Sequence, residues 1–77
     1  MTAYPLESTP WRLAECEEAR DLLLQVFLKD GHCTAVFKFG AVALPPELEP
    51  RLLKMVGKGC AVLRLDGYHI REVPDLA

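Results

Sequence analysis

Two histidines and three cysteines are the residues of this chain whose side chains could bind zinc or act in nucleophilic catalysis. The best candidate set is His32, Cys33, Cys60 and His69, because thiolates and imidazoles near hairpin turns are ligands that zinc prefers. His32 and Cys33 are adjacent, however, so a strand would point them to opposite faces. The set also lacks the recognised zinc spacings. We therefore expect no metal site and no cofactor.

The same cysteines make a poor catalytic signal. Cys33 and Cys60 stand in apolar stretches, where an inert buried thiol is the usual arrangement. The chain has no glycine-rich phosphate loop and no serine-centred nucleophile elbow, and "GKG" at 57–59 lacks the rest of a P-loop. We therefore expect a protein that is not an enzyme, and a small enzyme or a zinc protein is the least favoured interpretation.

Length and composition predict one small globular domain over 1–77, with a loop-like N-terminus over 1–10. Of the 77 residues, 51% are apolar and 26% charged, and the formal net charge is -2. A domain of this size buries only about 60 to 65% of its unfolded surface, so self-association would add stability. The longest apolar runs are far shorter than the roughly 18 residues of a membrane span. The odd cysteine count without a C-x-x-C pair is typical of reduced thiols, which predicts a soluble, cytoplasmic protein without membrane contact.

Two stretches follow the pattern of a β-hairpin, in which apolar, β-favouring runs flank an Asp-Gly turn. The first is "DLLLQVFLKDGHCTAVFKFG" at 21–40, and the second is "CAVLRLDGYHIREV" at 60–73. Asp-Gly suits the positive φ angles of a type I′ turn, whose twist matches the flanking strands. Strict alternation in the first hairpin then predicts a wholly apolar face. That face would consist of Leu22, Leu24, Val26, Leu28, Cys33, Ala35, Phe37 and Phe39.

Between the hairpins, the apolar residues change to helical spacing, with Leu48 and Leu52 on one side. Pro46 suits a first helical turn, whereas Pro50 would remove a backbone donor from a helix interior. We therefore expect a turn from Pro46 and a short helix that begins near Glu49 or Pro50.

The N-terminal element is open to two interpretations. The segment "WRLAECEEAR" has good helix formers after Thr9 and Pro10, which predicts a helix over 10–19. Its apolar residues form a poor stripe, and a strand over 11–17 is the alternative. The whole pattern predicts an α+β, mostly β fold, in which two β-hairpins around one short helix form a small curled sheet or open barrel of four or five strands.

The stretch from Val42 to Val73 contains "VALP", the short helix "PELEPRLL", the turn "VGKG" and the hairpin "CAVLRLDGYHIREV". In this order of elements it resembles the swapped-hairpin DNA-binding domains of the AbrB and antitoxin type. The resemblance covers less than half of the chain, an additional hairpin precedes it, and no basic cluster opens it. It implies a DNA-binding regulator in which phosphate would contact the basic residues Arg51, Lys54, Lys58, Arg64 and Arg71.

Charge argues against nucleic acid as the main partner, because phosphate binding draws on a basic excess. The part of the chain after Gly40 contains five basic and five acidic residues, so it has no basic excess. The favoured prediction is a small non-enzymatic interaction or structural module that forms homo-oligomers through a strand edge or an apolar sheet face. Another protein or a nucleic acid is the alternative partner. The residues predicted to contact a partner are Lys54, Lys58, Arg64, Tyr68 and Arg71.

Overall fold

The structure, a computed structural model, describes residues 11–74, so the loop predicted for 1–10 lies outside the described residues. Its strands are β1 (Trp11–Arg12), β2 (Glu18–Lys29), β3 (His32–Phe37), β4 (Gly40–Leu44), β5 (Gly59–Arg64) and β6 (Tyr68–Glu72). They form one six-stranded sheet in the order β1-β4-β3-β2-β5-β6. The predicted α+β, mostly β fold with a curled sheet is confirmed, with more strands than the four or five expected.

β2 connects the two parts of the sheet. Its N-terminal half, 18–22, pairs with β5, and its C-terminal half, 23–29, pairs with β3. A β-bulge between Leu23 and Gln25 separates the two halves. Because a bulge bends its strand and increases the local twist, the sheet curls into a half-barrel at this point.

The bulge also decides which leucines face the core. Leu23 is fully buried, whereas Leu24 is 42% exposed. The prediction that Leu22 and Leu24 share a face with Val26 and Leu28 is therefore wrong, because the extra residue of a bulge interrupts the period of two.

Beyond the bulge the prediction is confirmed for Val26 and Leu28, which lie opposite Ala35 and Cys33 on one face. It is wrong for Phe39, which lies in the turn after β3 and is 44% exposed.

The two hairpin turns differ. Asp30 and Gly31 have φ angles of 53° and 80°, so the first turn has the two positive φ angles of the predicted type I′ turn. In the second hairpin Arg64 lies opposite Tyr68, which leaves a three-residue loop over 65–67. The two-residue turn predicted there is wrong, because the pairing of β5 and β6 ends one residue earlier.

The helical segment follows the prediction from its prolines. A 3₁₀ turn, Pro46–Leu48, leads directly into helix α1, Glu49–Leu53. Pro50 stands in the first turn of α1, where its missing N–H has no intrahelical partner to lose. The proline thus marks the start of α1 instead of interrupting it.

Neither interpretation of the N-terminal element is fully correct. β1 is a strand of only two residues, and it runs parallel to β4. A turn follows it, in which Glu17 N–H donates to Ala14 O at 3.0 Å, and β2 begins at Glu18. The segment therefore serves as a short edge strand and a connection into β2.

The core lies between one face of the sheet and α1. Its buried residues come from the helix, the strands and the turn before β2: Leu13, Ala19, Leu23, Val26, Cys33, Ala35, Phe37, Val42, Leu44, Leu48, Leu52, Cys60 and Val62. Val36, Ala43 and Ala61 are also buried, on the opposite face of the sheet. The sheet is therefore largely covered on both faces along β3.

Leu23→Ala should destabilise the protein by about 2 to 5 kcal/mol, because it leaves a cavity at the point where both halves of the sheet meet. Leu24→Ala is the matched control, since the same change at the exposed neighbour should cost no more than about 0.5 kcal/mol. Denaturant unfolding of both variants measures the difference. Equal losses would contradict the position of the bulge.

Candidate interaction surfaces

Arg64 and Tyr68, two of the residues predicted to contact a partner, lie opposite each other at the end of the second hairpin. The guanidinium carbon of Arg64 lies 5.8 Å from the centre of the Tyr68 ring, within the range of a cation–π contact. Arg64 Nη1 donates to Leu13 O at 2.7 Å, and its Nε lies 3.8 Å from Glu15 Oε1. Arg64 therefore attaches the segment before β2 to the end of β5.

Further hydrogen bonds hold this connection. Arg64 N–H donates to Glu17 O at 3.0 Å. The carboxylate of Glu15 accepts from Asp66 N–H at 2.7 Å, and that of Glu17 accepts from Ala14 N–H at 2.8 Å. Both glutamates thus satisfy loop N–H groups, and the polar side chains in this region stabilise the fold.

The remaining candidate residues do not join this pair. Arg71 is on the face of the sheet opposite to Arg64, and its Nη2 lies 3.5 Å from Glu18 Oε2. Lys58 precedes β5, which places it about 20 Å from Arg64 at the usual rise of a strand. The other basic candidates for phosphate contact are exposed on and after α1: Arg51, Lys54 and Lys58. A single chain therefore does not collect these residues on one surface.

The candidate zinc ligands are distributed over both faces of the sheet. Cys33 and Cys60 are fully buried in the core. Burial raises the pKa of Cys60 from 9.0 to about 11, and burial, with the Glu49 carboxylate second, raises the pKa of Cys33. His32 is exposed, and His69 Nε2 lies 2.8 Å from a backbone carbonyl of the adjacent loop. Within residues 11–74, no three His, Cys, Asp or Glu side chains form a metal-binding group.

Within residues 11–74, each half of β2 is paired on one side only, so each half has an open edge there. Leu23 directs its backbone to the β5 side, where its N–H donates to Lys58 O at 2.9 Å and its O accepts from Gly57 N–H at 2.8 Å. Leu22 O accepts from Lys38 N–H at 3.0 Å on the β3 side. Successive residues of a strand direct their backbone groups to alternate sides. The bonds of Leu22 and Leu23 therefore establish the direction of the backbone groups of residues 18–21.

The open edge of the N-terminal half consists of the backbone groups of Glu18 and Arg20, which point away from β5. No backbone group of the described chain pairs with them there. Both residues carry charged side chains, and Asp21 Oδ1 accepts from Leu22 N–H at 2.8 Å. Charge on an edge opposes pairing with another chain. A groove of about 250 Å³ adjoins this edge and is lined by Trp11, Leu13, Glu18, Ala19, Arg20 and Phe39.

The open edge of the C-terminal half is uncharged as far as Leu28, and the charged Lys29 follows at the turn. Lys29 lies opposite His32 beside the two-residue turn, and this position exchanges hydrogen bonds within the hairpin. Alternation then directs the backbone of Phe27 to β3 and the backbones of Val26 and Leu28 to the open edge. Residues 22–28, "LLLQVFL", carry no charge.

Exposed apolar side chains border this edge. Leu24 is 42% exposed and Leu28 53% exposed, and Val56, in the turn after α1, is also exposed. The segment directly after Val56 is hydrogen-bonded to Leu23, which places Val56 near the start of the edge. We call this surface the uncharged edge. It is formed by the backbones of Val26 and Leu28 and the side chains of Leu24, Leu28 and Val56.

Sequence reasoning did not find the uncharged edge, because it began the first hairpin at residue 21 and did not predict a longer strand that starts at Glu18 and pairs with β5. The signal available in the sequence was the run of seven residues without a charge. β2 has 12 residues and β3 has 6, so half of β2 must pair elsewhere. That difference in length appears only once the sheet is assembled.

None of the helices within residues 11–74 has the length and apolar character needed to cross a membrane. No protein-family model matches the chain, and no curated protein or solved structure matches it. The resemblance to AbrB-type domains therefore stays a prediction from the sequence.

A thiol reagent such as dithionitrobenzoate should modify Cys16 rapidly in the native protein at pH 8, and Cys33 and Cys60 only after unfolding. Cys16 is exposed, whereas the other two thiols are buried and their raised pKa values keep them protonated. Each thiol that reacts releases one thionitrobenzoate anion, so the absorbance of that anion gives the number of reactive thiols. A Cys16→Ser variant should show almost no native reaction, and rapid reaction of that variant would contradict the burial.

Proposed function

We propose that this chain is a small non-enzymatic interaction module that self-associates. The observation that carries the proposal is the uncharged edge, where unpaired backbone groups and exposed apolar side chains occur together. Proteins that stay monomeric protect such edges with charge, proline or a covering element. Residues 22–28 of β2 carry no charged side chain, so this part of the strand lacks the protection that charge provides.

The apolar surface at this edge makes association favourable. Burying a large apolar side chain completely contributes roughly 1.5 to 3 kcal/mol. Leu28 is 53% exposed and Leu24 42% exposed, so roughly half of that contribution is still available at each. Contact between two copies would bury these side chains in both, which compensates for the small core of a single chain.

The side chains that could take part in metal binding, catalysis or phosphate binding have structural contacts instead, which supports the same proposal. Arg64 binds Leu13 O and lies near Glu15, and Cys33 and Cys60 are buried in the core. These contacts favour a role in which the surface binds a partner.

The protein should form a dimer or larger homo-oligomer at micromolar concentration, because burial of the uncharged edge removes apolar surface from water. Sedimentation equilibrium over a range of concentrations measures the mass. A folded monomer across that range would refute the proposal. Circular dichroism at the same concentrations establishes that the chain is folded.

The alternative function, duplex DNA binding of the AbrB type, predicts a surface that presents Arg64 and Arg71 together. In one chain these arginines occupy opposite faces of the sheet, and each has an acidic neighbour, Glu15 or Glu18. Neutralised phosphates provide most of the affinity for DNA, so a dispersed pattern gives little attraction.

We expect weak or no binding to duplex DNA at physiological salt, because the basic residues are dispersed and matched by acidic ones. Titration of a fluorescent duplex at two salt concentrations measures the affinity. Tight binding that falls steeply with salt, and that Arg64→Ala together with Arg71→Ala abolishes, would establish the DNA-binding alternative instead.

A further inference from the structure

We infer that the uncharged edge pairs with the same edge of a second copy of the chain, antiparallel, with Phe27 opposite Phe27 on a two-fold axis. This inference rests on the proposed self-association and identifies the residues that perform it. It joins two six-stranded sheets into one continuous sheet through their β2 strands.

The direction of the backbone groups selects this register. Val26 and Leu28 each direct one N–H and one C=O to the open edge, whereas Phe27 directs its groups to β3. An antiparallel pair exchanges hydrogen bonds between residues whose groups point at each other. With Phe27 on the axis, Val26 lies opposite Leu28 of the second copy, and Leu28 lies opposite its Val26. Every outward backbone group of these two residues then has a partner.

Steric clearance agrees with the same register. The backbone of Leu23 is already bonded to Gly57 and Lys58, so an added strand must end before Leu23. Pairing about Phe27 reaches only from Gln25 to Lys29, which leaves that position clear.

Charge and side-chain chemistry are also compatible. Gln25 would lie opposite Lys29 of the second copy, so no like charges face each other across the strands. Phe27 is half-buried on the face opposite the core, where it pairs with Thr34, and the axis would place two phenylalanines side by side. Aromatic cross-strand pairs stabilise antiparallel sheets.

The other open edge of β2 is a poorer place for a second copy. In the equivalent register Glu18 would lie opposite Arg20 of the second copy, but the Glu18 carboxylate already lies 3.5 Å from Arg71 Nη2, and Asp21 already accepts from the Leu22 N–H. The contrast between the two halves assigns self-association to the C-terminal half.

A cysteine placed on the axis tests the register directly. Phe27→Cys in a Cys16→Ser background removes the exposed native thiol and brings two copies of residue 27 opposite each other in a non-hydrogen-bonded position. The Cα atoms of such a pair lie about 4.5 Å apart, which a disulfide can span. Leu63→Cys in the same background is the matched control, since Leu63 is half-buried on the same face but lies in β5.

Mild oxidation followed by non-reducing electrophoresis should convert most of the Phe27→Cys protein, and little of the Leu63→Cys protein, into a covalent dimer. As a second measurement, Leu28→Lys should weaken self-association by at least about tenfold, because two lysines would be brought into an apolar contact. Leu65→Lys, at a comparably exposed leucine in the loop of the second hairpin, should leave the association unchanged.

The outcomes separate this inference from the proposed function. If the parent chain is oligomeric but Leu28→Lys associates as tightly as the parent, or Phe27→Cys cross-links no better than Leu63→Cys, the pairing described here is wrong and self-association uses another surface. A folded monomeric parent chain would overturn both. Circular dichroism of the reduced variants establishes that each is folded.

Discussion

The sheet depends on one constraint, which is that a single strand must serve two partners. β2 pairs with β5 through one half and with β3 through the other, and the bulge between Leu23 and Gln25 is the point where it changes sides. An extra residue in one strand bends that strand and changes the direction of its side chains. The bulge therefore both curls the sheet and directs Leu23 into the core. Both hairpins and α1 then cover a common apolar interior.

Among the described residues, the same constraint leaves both halves of β2 unpaired on one side, and the side chains at the two edges differ. The N-terminal edge bears Glu18 and Arg20, and the Asp21 carboxylate satisfies a neighbouring N–H. The C-terminal edge is uncharged and bordered by exposed leucines. Since edge charge is the usual protection against pairing, the chain is protected at one edge and open at the other. This asymmetry is the physical basis for proposing that the chain associates with itself.

Arg64 shows how a polar side chain can have a structural role that its sequence context does not reveal. Its guanidinium donates to Leu13 O, lies near Glu15 and contacts the Tyr68 ring. Arg64 and Leu13 are 51 positions apart in the sequence, so their hydrogen bond connects the N-terminal segment to the second hairpin. A long-range contact of this kind depends on the assembled sheet, and no local pattern around "LRLDGY" predicts it.

The sequence by itself determined the local elements. Asp30-Gly31 gave the first turn because positive φ at both positions favours those residues, and Pro46 and Pro50 gave the start of the helical segment because proline restricts φ and lacks an N–H. Only the tertiary structure decided which part of β2 pairs with β5, where the bulge falls and which edge stays open. Those features depend on contacts between residues far apart in the chain, and the bulge falls within three consecutive leucines, Leu22, Leu23 and Leu24. The local pattern therefore does not distinguish Leu23, which the core requires, from Leu24, which remains at the surface.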